Sequence, residues 1–337
     1  MCKAWNNAAI TKLALVFALV VAAAISSAQI LTVTTPTNGS FLGRTNKIKF
    51  TVTNANVEVT MRAEITGPGG PPPTVISERF TPNADGKIDA ELPLNFSESA
   101  PEGAYTIVVT GTRNEIPAPP PFGTVTINVT VDVVNPKILQ FNPINGAFVR
   151  DTVQIRVRVR EPNFKDYRVQ INGQDIPGNT GNSLDPNDEF TVIWNTDGIL
   201  SDGEQSINIR IRDEASNEVT QDVSVTLDRV PPVVNIVQPR ANVRMRPRSH
   251  VSVSVDIEDD RENSIHVTGV DVIAKTLGGA FIGRVARQSF RSVSESRMRW
   301  SGRLRYSSRL PTVFKIEVTV VDRAGNVAVT QEVIVRY

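Results

Sequence analysis

An all-β chain of three tandem antiparallel β-sandwiches behind an N-terminal targeting segment is the fold class that this sequence predicts. Three observations predict it. Apolar and polar residues alternate with period two in segment after segment, which puts one face of a strand in a core and the other in water. Similar opening and closing segments recur about every hundred residues, the size of one sandwich domain. Val and Thr, which suit a pleated surface, are plentiful, and the 22 prolines and 21 glycines fall mostly between apolar runs, where turns belong.

Residues 1–28 read as a cleavable signal peptide. Lys3 and Lys12 give a positive start, Leu13–Ile25 is an apolar run too short to span a bilayer comfortably, and Ser26, Ser27 and Ala28 are small residues at a cleavage site. The mature chain is therefore expected to begin at Gln29 and to be secreted, extracellular or held at the cell surface, with the periplasm also open to it and no membrane span after cleavage. The one cysteine, Cys2, precedes the apolar run. Exported sandwiches without disulfides rely on packing alone, which is ordinary for bacterial surface domains and unusual for animal ones.

The repeats follow at 29–133, 134–230 and 231–337. Each opens with a short apolar strand ending at proline: Ile30–Pro36, Lys137–Pro143 and Val233–Pro239, at spacings of 107 and 96 residues. A turn comes next, at Asn38-Gly39, at Asn145-Gly146 and at Asn242 without the glycine. Alternating strands then run over Lys47–Thr53, Val153–Val159 and Val251–Ile257. In the second of these, Val153, Ile155, Val157 and Val159 should face the core while Arg156 and Arg158 face water. The last two strands of each repeat read as a hairpin. In repeats two and three its turn is Asp213–Asn217 and Asp322–Asn326, where Asp and Asn side chains bond nearby backbone; in repeat one a proline-rich insertion, Ile116–Phe122, replaces it. Pro231 and Pro232 restrict the second junction, so that linker should be stiff and the repeats should extend into a rod.

The stretch Val225–Val234, with its Leu-Asp-Arg-Val-Pro-Pro centre, resembles the junction between bacterial immunoglobulin-like repeats, and so do the turns Asp213–Asn217 and Asp322–Asn326. The resemblance covers nearly all of residues 30–337 and is strongest in repeats two and three. It implies immunoglobulin-like sandwiches that serve as stalks, spacers, adhesins or accessory modules of exported enzymes, and it fixes no ligand. No catalytic partner domain or wall-sorting tail is recognisable in the sequence.

Catalytic chemistry finds little to work with. The chain from Gln29 onward has no cysteine, and its two histidines, His250 and His266, lie in strand-like segments. No nucleophile elbow, zinc-binding helix motif or phosphate loop is present. The expectation is a protein that is not an enzyme. The acidic stretch Asp256, Glu258, Asp259 and Asp260, followed by Glu262, reads either as a solvated turn or as a calcium site, since calcium takes several oxygen ligands from loops. Trp194 and Trp300 sit at matching places in repeats two and three and should pack between sheets; Tyr105, at the start of a late strand, resembles a tyrosine corner.

Charge is the most informative feature. Repeat one has seven basic and ten acidic residues, repeat two has ten and fifteen, and repeat three has seventeen and ten. An acidic pair of domains is thus followed by a basic one. The basic excess begins with Arg240, Arg244, Arg246 and Arg248 and continues through Arg284, Arg287, Arg291, Arg297, Arg299, Arg303, Arg305 and Arg309. From Arg297 to Arg305 arginine alternates with Met, Trp and Leu around a Ser-Gly step, which would place the guanidinium groups on one strand face. Arginine forks bind carboxylate, sulfate or phosphate. The expected partner is a protein or an envelope or extracellular polysaccharide, not nucleic acid, for which no aromatic platform is evident. The function expected is an adhesion or spacer module whose basic third domain contacts an anionic partner; the alternative is a carbohydrate-binding accessory protein working with a separate hydrolase. The sequence leaves the oligomeric state open.

Overall fold

The computed structural model describes residues 28–69, 72–199, 201–240, 250–305 and 311–336. The signal segment before Ala28, together with Asn242, Arg244, Arg246, Arg248 and Arg309, lies outside the described residues. The strands gather into two compact units, one of residues up to 134 with the turn 214–217, the other of 135–213 with 218–337. Among the described residues the only helical elements are two single 3₁₀ turns, and no helix is long and apolar enough to cross a membrane.

In the first unit, β1 (Ile30–Thr35), β3 (Thr45–Thr53) and β6 (Ile88–Asn95) form one sheet in the order β1-β3-β6. The second sheet is β2 (Phe41–Leu42), β8 (Gly123–Val131), β7 (Gly103–Arg113), β4 (Val59–Thr66) and β5 (Thr74–Phe80), in that order. Alternation fixes which side chains meet. On β3, Ile48, Phe50 and Val52 are buried, and on β4 Val59, Met61, Ala63 and Ile65 face them from the other sheet. The Tyr105 hydroxyl donates to the carbonyl of Pro101 at 2.8 Å, which ties the start of β7 to the preceding loop in the manner of a tyrosine corner.

The second unit contains two sandwiches of the same plan. The first has a sheet of β14 (Glu189–Asn195), β11 (Thr152–Arg160) and β9 (Lys137–Asn142), and a sheet of β10 (Ala147–Val149), β16 (Glu218–Leu227), β15 (Gly203–Asp213), β12 (Phe164–Ile171) and β13 (Gln174–Gly181). On β11 the four apolar residues read from the sequence are all buried, while Arg156 and Arg158 are exposed. Trp194 is 1% exposed in this core.

The last sandwich has a sheet of β17 (Val233–Gln238), β18 (His250–Glu258), β22 (Arg297–Arg305) and β21 (Ala286–Ser292), and a sheet of β20 (Phe281–Arg284), β19 (Val270–Lys275), β23 (Val313–Val321) and β24 (Val327–Arg336). Its departure from the other two is the chain's crossing between sheets after Arg284, which adds β21 to the edge beside β22. Val285, the residue between β20 and β21, is buried at 4% and anchors that crossing. The core joins Val251, Val253, Val255 and Ile257 of β18 to Trp300, Leu304 and Phe314. In all three sandwiches the closing pair of strands is an antiparallel hairpin, as the repeats predict.

Candidate anion-binding face

The alternation of β18 and β22 decides where the arginines go. The inward positions of β22 are Met298, Trp300, Gly302 and Leu304; the outward ones are Arg297, Arg299, Ser301, Arg303 and Arg305. Antiparallel pairing with β18 sets opposite them, in the same order, Glu258, Asp256, Ser254, Ser252 and His250. Two kinds of rung result. At one end Arg299 makes a bidentate pair with Asp256, at 2.6 and 2.7 Å, and Arg297 reaches Glu258 at 3.1 Å. The Arg299 fork holds the Asp256 carboxyl below the usual carboxylate range. At the other end Arg303 faces a serine and Arg305 faces His250. Neither has an acidic partner among the described residues.

The edge strand β21 adds Arg291 opposite Arg299 and Arg287 opposite Gly302, with a bulge between Arg287 and Ser289. Both are exposed and neither is paired among the described residues. Arg284, on the other sheet, is bound to Asp271 at 2.9 Å. Of the seven arginines from Arg284 to Arg305 named in the basic run, then, Arg284, Arg297 and Arg299 are neutralised locally, and Arg287, Arg291, Arg303 and Arg305 have no acidic partner among the described residues; Arg291, Arg303 and Arg305 share the outward face, while Arg287, opposite Gly302, lies on the inward side of the sheet. Between the two ends lies a row of hydroxyls, Ser254, Ser301 and Ser289, the last two 2.5 Å apart. A cleft of about 680 Å³ lies on the inward side of this sheet, away from that face, lined by Thr268, Asp271, Arg284, Arg287 and Trp300 among others.

The acidic stretch does not stay together. Asp256 and Glu258 are outward strand residues engaged by arginine, as above. Asp259, the next residue after the strand, is 5% exposed and meets Asp228, 0% exposed, at the join of the second and third sandwiches. The Ser264 hydroxyl is 3.1 Å from both Asp228 Oδ2 and Asp259 Oδ2, so one proton serves two carboxylates. Asp259 Oδ1 also accepts from the Arg261 amide, and Asp228 Oδ1 from the Val230 amide. Burial pushes the Asp259 carboxyl up to about 6, and the Asp228 carboxyl upward as well, with nearby acidic charge adding to both shifts. Carboxylate oxygens of Asp228, Asp259 and Asp260 lie within 4.8 Å of one another. The oxygens of Asp228 and Asp259 also accept from the chain's own donors.

Asp228 and Ser264 were not legible as partners of the acidic loop; the only sequence signal was the Leu-Asp-Arg ending of repeat two. The histidines do local work or sit on a strand: His266 caps a 3₁₀ turn by accepting from the Thr268 amide, and His250 lies opposite Arg305. Trp194 and Trp300 are both core residues at matching positions.

No protein-family model and no curated protein sequence matches the chain. Solved structures of tandem-domain proteins align with it at low similarity. Domains of titin align over 91% of this chain and 97% of theirs, with 13% identity and a TM-score of 0.35. A Ca2+-stabilised adhesin that helps an Antarctic bacterium bind ice aligns over 93% of this chain and 74% of its own, with 17% identity and a TM-score of 0.34. The eight N-terminal Ig domains of Down Syndrome Cell Adhesion Molecule align over 90% of this chain and 36% of theirs, with 10% identity and a TM-score of 0.29. The repeats are antiparallel β-sandwiches, as their own strand pairing shows.

Proposed function

We propose that this chain is an exported, non-catalytic module of tandem immunoglobulin-like repeats, acting in adhesion or as a spacer, whose basic third domain contacts an anionic partner. The observation that carries the reading is the set of four exposed arginines without acidic partners among the described residues, in a domain of net positive charge behind two domains of net negative charge. Unpaired guanidinium groups in water gain most from a polyanion, because each brings planar donors that fit an oxyanion. The buried tryptophans give no support to an aromatic sugar-stacking platform, so the accessory carbohydrate-binding reading is the weaker one.

The test is retention of the chain from Gln29 onward on an immobilised polyanion and on a neutral polymer, across a salt series. Retention on the polyanion alone, falling between 0.05 and 0.5 M salt because exposed charges are screened over about 10 Å at 0.1 M, is the expected result. Equal retention on both matrices, or indifference to salt, would rule out the anionic contact.

A further inference from the structure

We infer that the face made by β18, β22 and β21 binds a linear polysaccharide bearing sulfate or carboxylate groups, and that it does so through Arg303 and Arg305, and not through Arg297 and Arg299. The inference rests on the reading of the third domain as the anion-contacting end and adds to it the ligand class and the residues. Arg303 and Arg305 are two residues apart on one strand, so their bases are separated by about 6.8 Å along it, and β21 lies one strand away, about 4.8 Å. They make a pair of adjacent cations on the outward face, with Arg291 on the same face opposite Arg299. The hydroxyl row of Ser254, Ser301 and Ser289 runs across the middle of that face. No outward side chain of β18 or β22 is apolar. A protein partner would find no apolar anchor on these two strands, and a lipid surface would find nothing there to insert. A hydroxylated polyanion matches both the hydroxyls and the guanidinium groups.

The same geometry says which arginines count. A carboxylate that approaches Arg297 or Arg299 must compete with Glu258 or Asp256, which already fill those forks. One that approaches Arg303 or Arg305 meets no competing carboxylate among the described residues.

Binding of the chain from Gln29 onward to dextran sulfate, polygalacturonate, neutral dextran and phosphatidylserine vesicles tests this. The double substitution R303S/R305S should weaken binding to the acidic polysaccharides about tenfold, roughly what two exposed charge-assisted contacts amount to. Substituting Asp256→Asn with Glu258→Gln, which frees Arg297 and Arg299, should tighten it about threefold. If both acidic polysaccharides bind but R303S/R305S matches the parent, the face is wrong while the anionic reading survives. If vesicles bind and the polysaccharides do not, the ligand class is wrong. If neither polyanion binds at low salt, both readings fall together.

A separate observation carries a second inference. We infer that the Asp-x-Ala-x-Asn turn is a latch that reads the last residue of the preceding sandwich, not a local turn alone. In Asp322–Asn326 the Asn326 amide group, 3% exposed, donates at 2.9 Å to the carbonyl of Asp228 and at 2.8 Å to Asp322 Oδ2. Arg150 of the second sandwich lies 3.5 Å from Asn326 Oδ1, and Arg323 stands over the Phe148 ring at 6.0 Å. On the other side of the joint Arg229 is tied back by Asp202 and by the carbonyls of Thr196 and Ile199. The turn of repeat two makes the same bond within the first unit: Asn217 Nδ2 donates to the carbonyl of Asp132 at 2.8 Å.

Amide exchange followed by mass spectrometry distinguishes a latch from a turn. With Asn326→Ala, protection should fall about tenfold in the peptide holding Asp228, whose amide bonds Val149, and in the turn itself, a factor expected when one buried hydrogen bond is lost. Asn326→Asp, which sets a carboxylate beside those of Asp228 and Asp322, should give a larger loss. Loss of protection confined to residues 322–326 in both variants would reduce the motif to a local turn.

Discussion

The second and third sandwiches keep the same interior and differ on their surfaces. Trp194 on β14 pairs with Val153 of β11, and Trp300 on β22 pairs with Val255 of β18; both rings are 2% exposed or less. Outward, the equivalent strand of the second domain carries Glu189, Thr191, Ile193 and Asn195, where the third carries arginine at four of five positions. Inward positions answer to packing and leave little choice; outward positions answer only to solvent and partners. The surface contrast therefore reports on function, and the shared interior reports on the fold.

The interior half of the comparison predicts the largest effect. Trp194→Ala and Trp300→Ala should each destabilise by about 3 to 5 kcal/mol, since each removes a fully enclosed ring from a packed core. Denaturant unfolding followed by far-ultraviolet circular dichroism measures both. A loss below 1 kcal/mol at either site would mean that the two cores are not equivalent.

The third domain meets the second through buried acid. An Asp259 carboxyl raised to about 6 in the folded chain, from an ordinary value near 4 when unfolded, binds its proton more tightly in the native state. Its stabilisation is complete below pH 4, declines as pH climbs toward 6, and is gone above that. The groups facing it are Asp228, Asp260, Arg261 and Ser264, with Asp322 close to Asp228. Stability should thus fall by roughly 2 to 3 kcal/mol between pH 4 and 7 from this site. Asp259→Asn should remove that dependence and raise stability at neutral pH, because an amide can donate to Ser264 Oγ and leave the hydroxyl proton for Asp228. A variant less stable than the parent at pH 7 would contradict the account.

The strands were legible because alternation has one physical cause, a wet face and a dry one, and β11 and β18 obey it at every position named from the sequence. The same rule already separates Asp256 and Glu258, which share the outward face of β18, from Asp259, which follows the strand. Applied one residue further, it would have split the acidic stretch that reads as a single loop. What alternation cannot give is register. Which arginines on β22 meet acids depends on the slide of β22 against β18, a contact across some forty residues, and on the crossing at Val285 that brings β21 alongside. The pairing of Asp228 with Ser264 and Asn326 likewise needs two domains in place, so no local pattern announces it.

The smallest effect sharpens the surface contrast. Arg168 and Asp175 form an exposed bidentate pair in the second domain, at 2.9 and 2.6 Å, that resembles Arg299 with Asp256 in the third. Both are solvated, so removing either should leave the melting temperature nearly unchanged. Their roles diverge in binding. Removing the acid at Asp175 exposes one cation in a domain of net negative charge and should leave polyanion binding unchanged, whereas removing Asp256 joins Arg299 to Arg291 and to the free end of the ladder. Asp175→Asn and Asp256→Asn compared by retention on dextran sulfate, with melting temperatures in parallel, separate a charge that only decorates a surface from one that masks a binding residue. Equal gains in retention would show that net charge, not the arrangement of β18, β22 and β21, governs the contact.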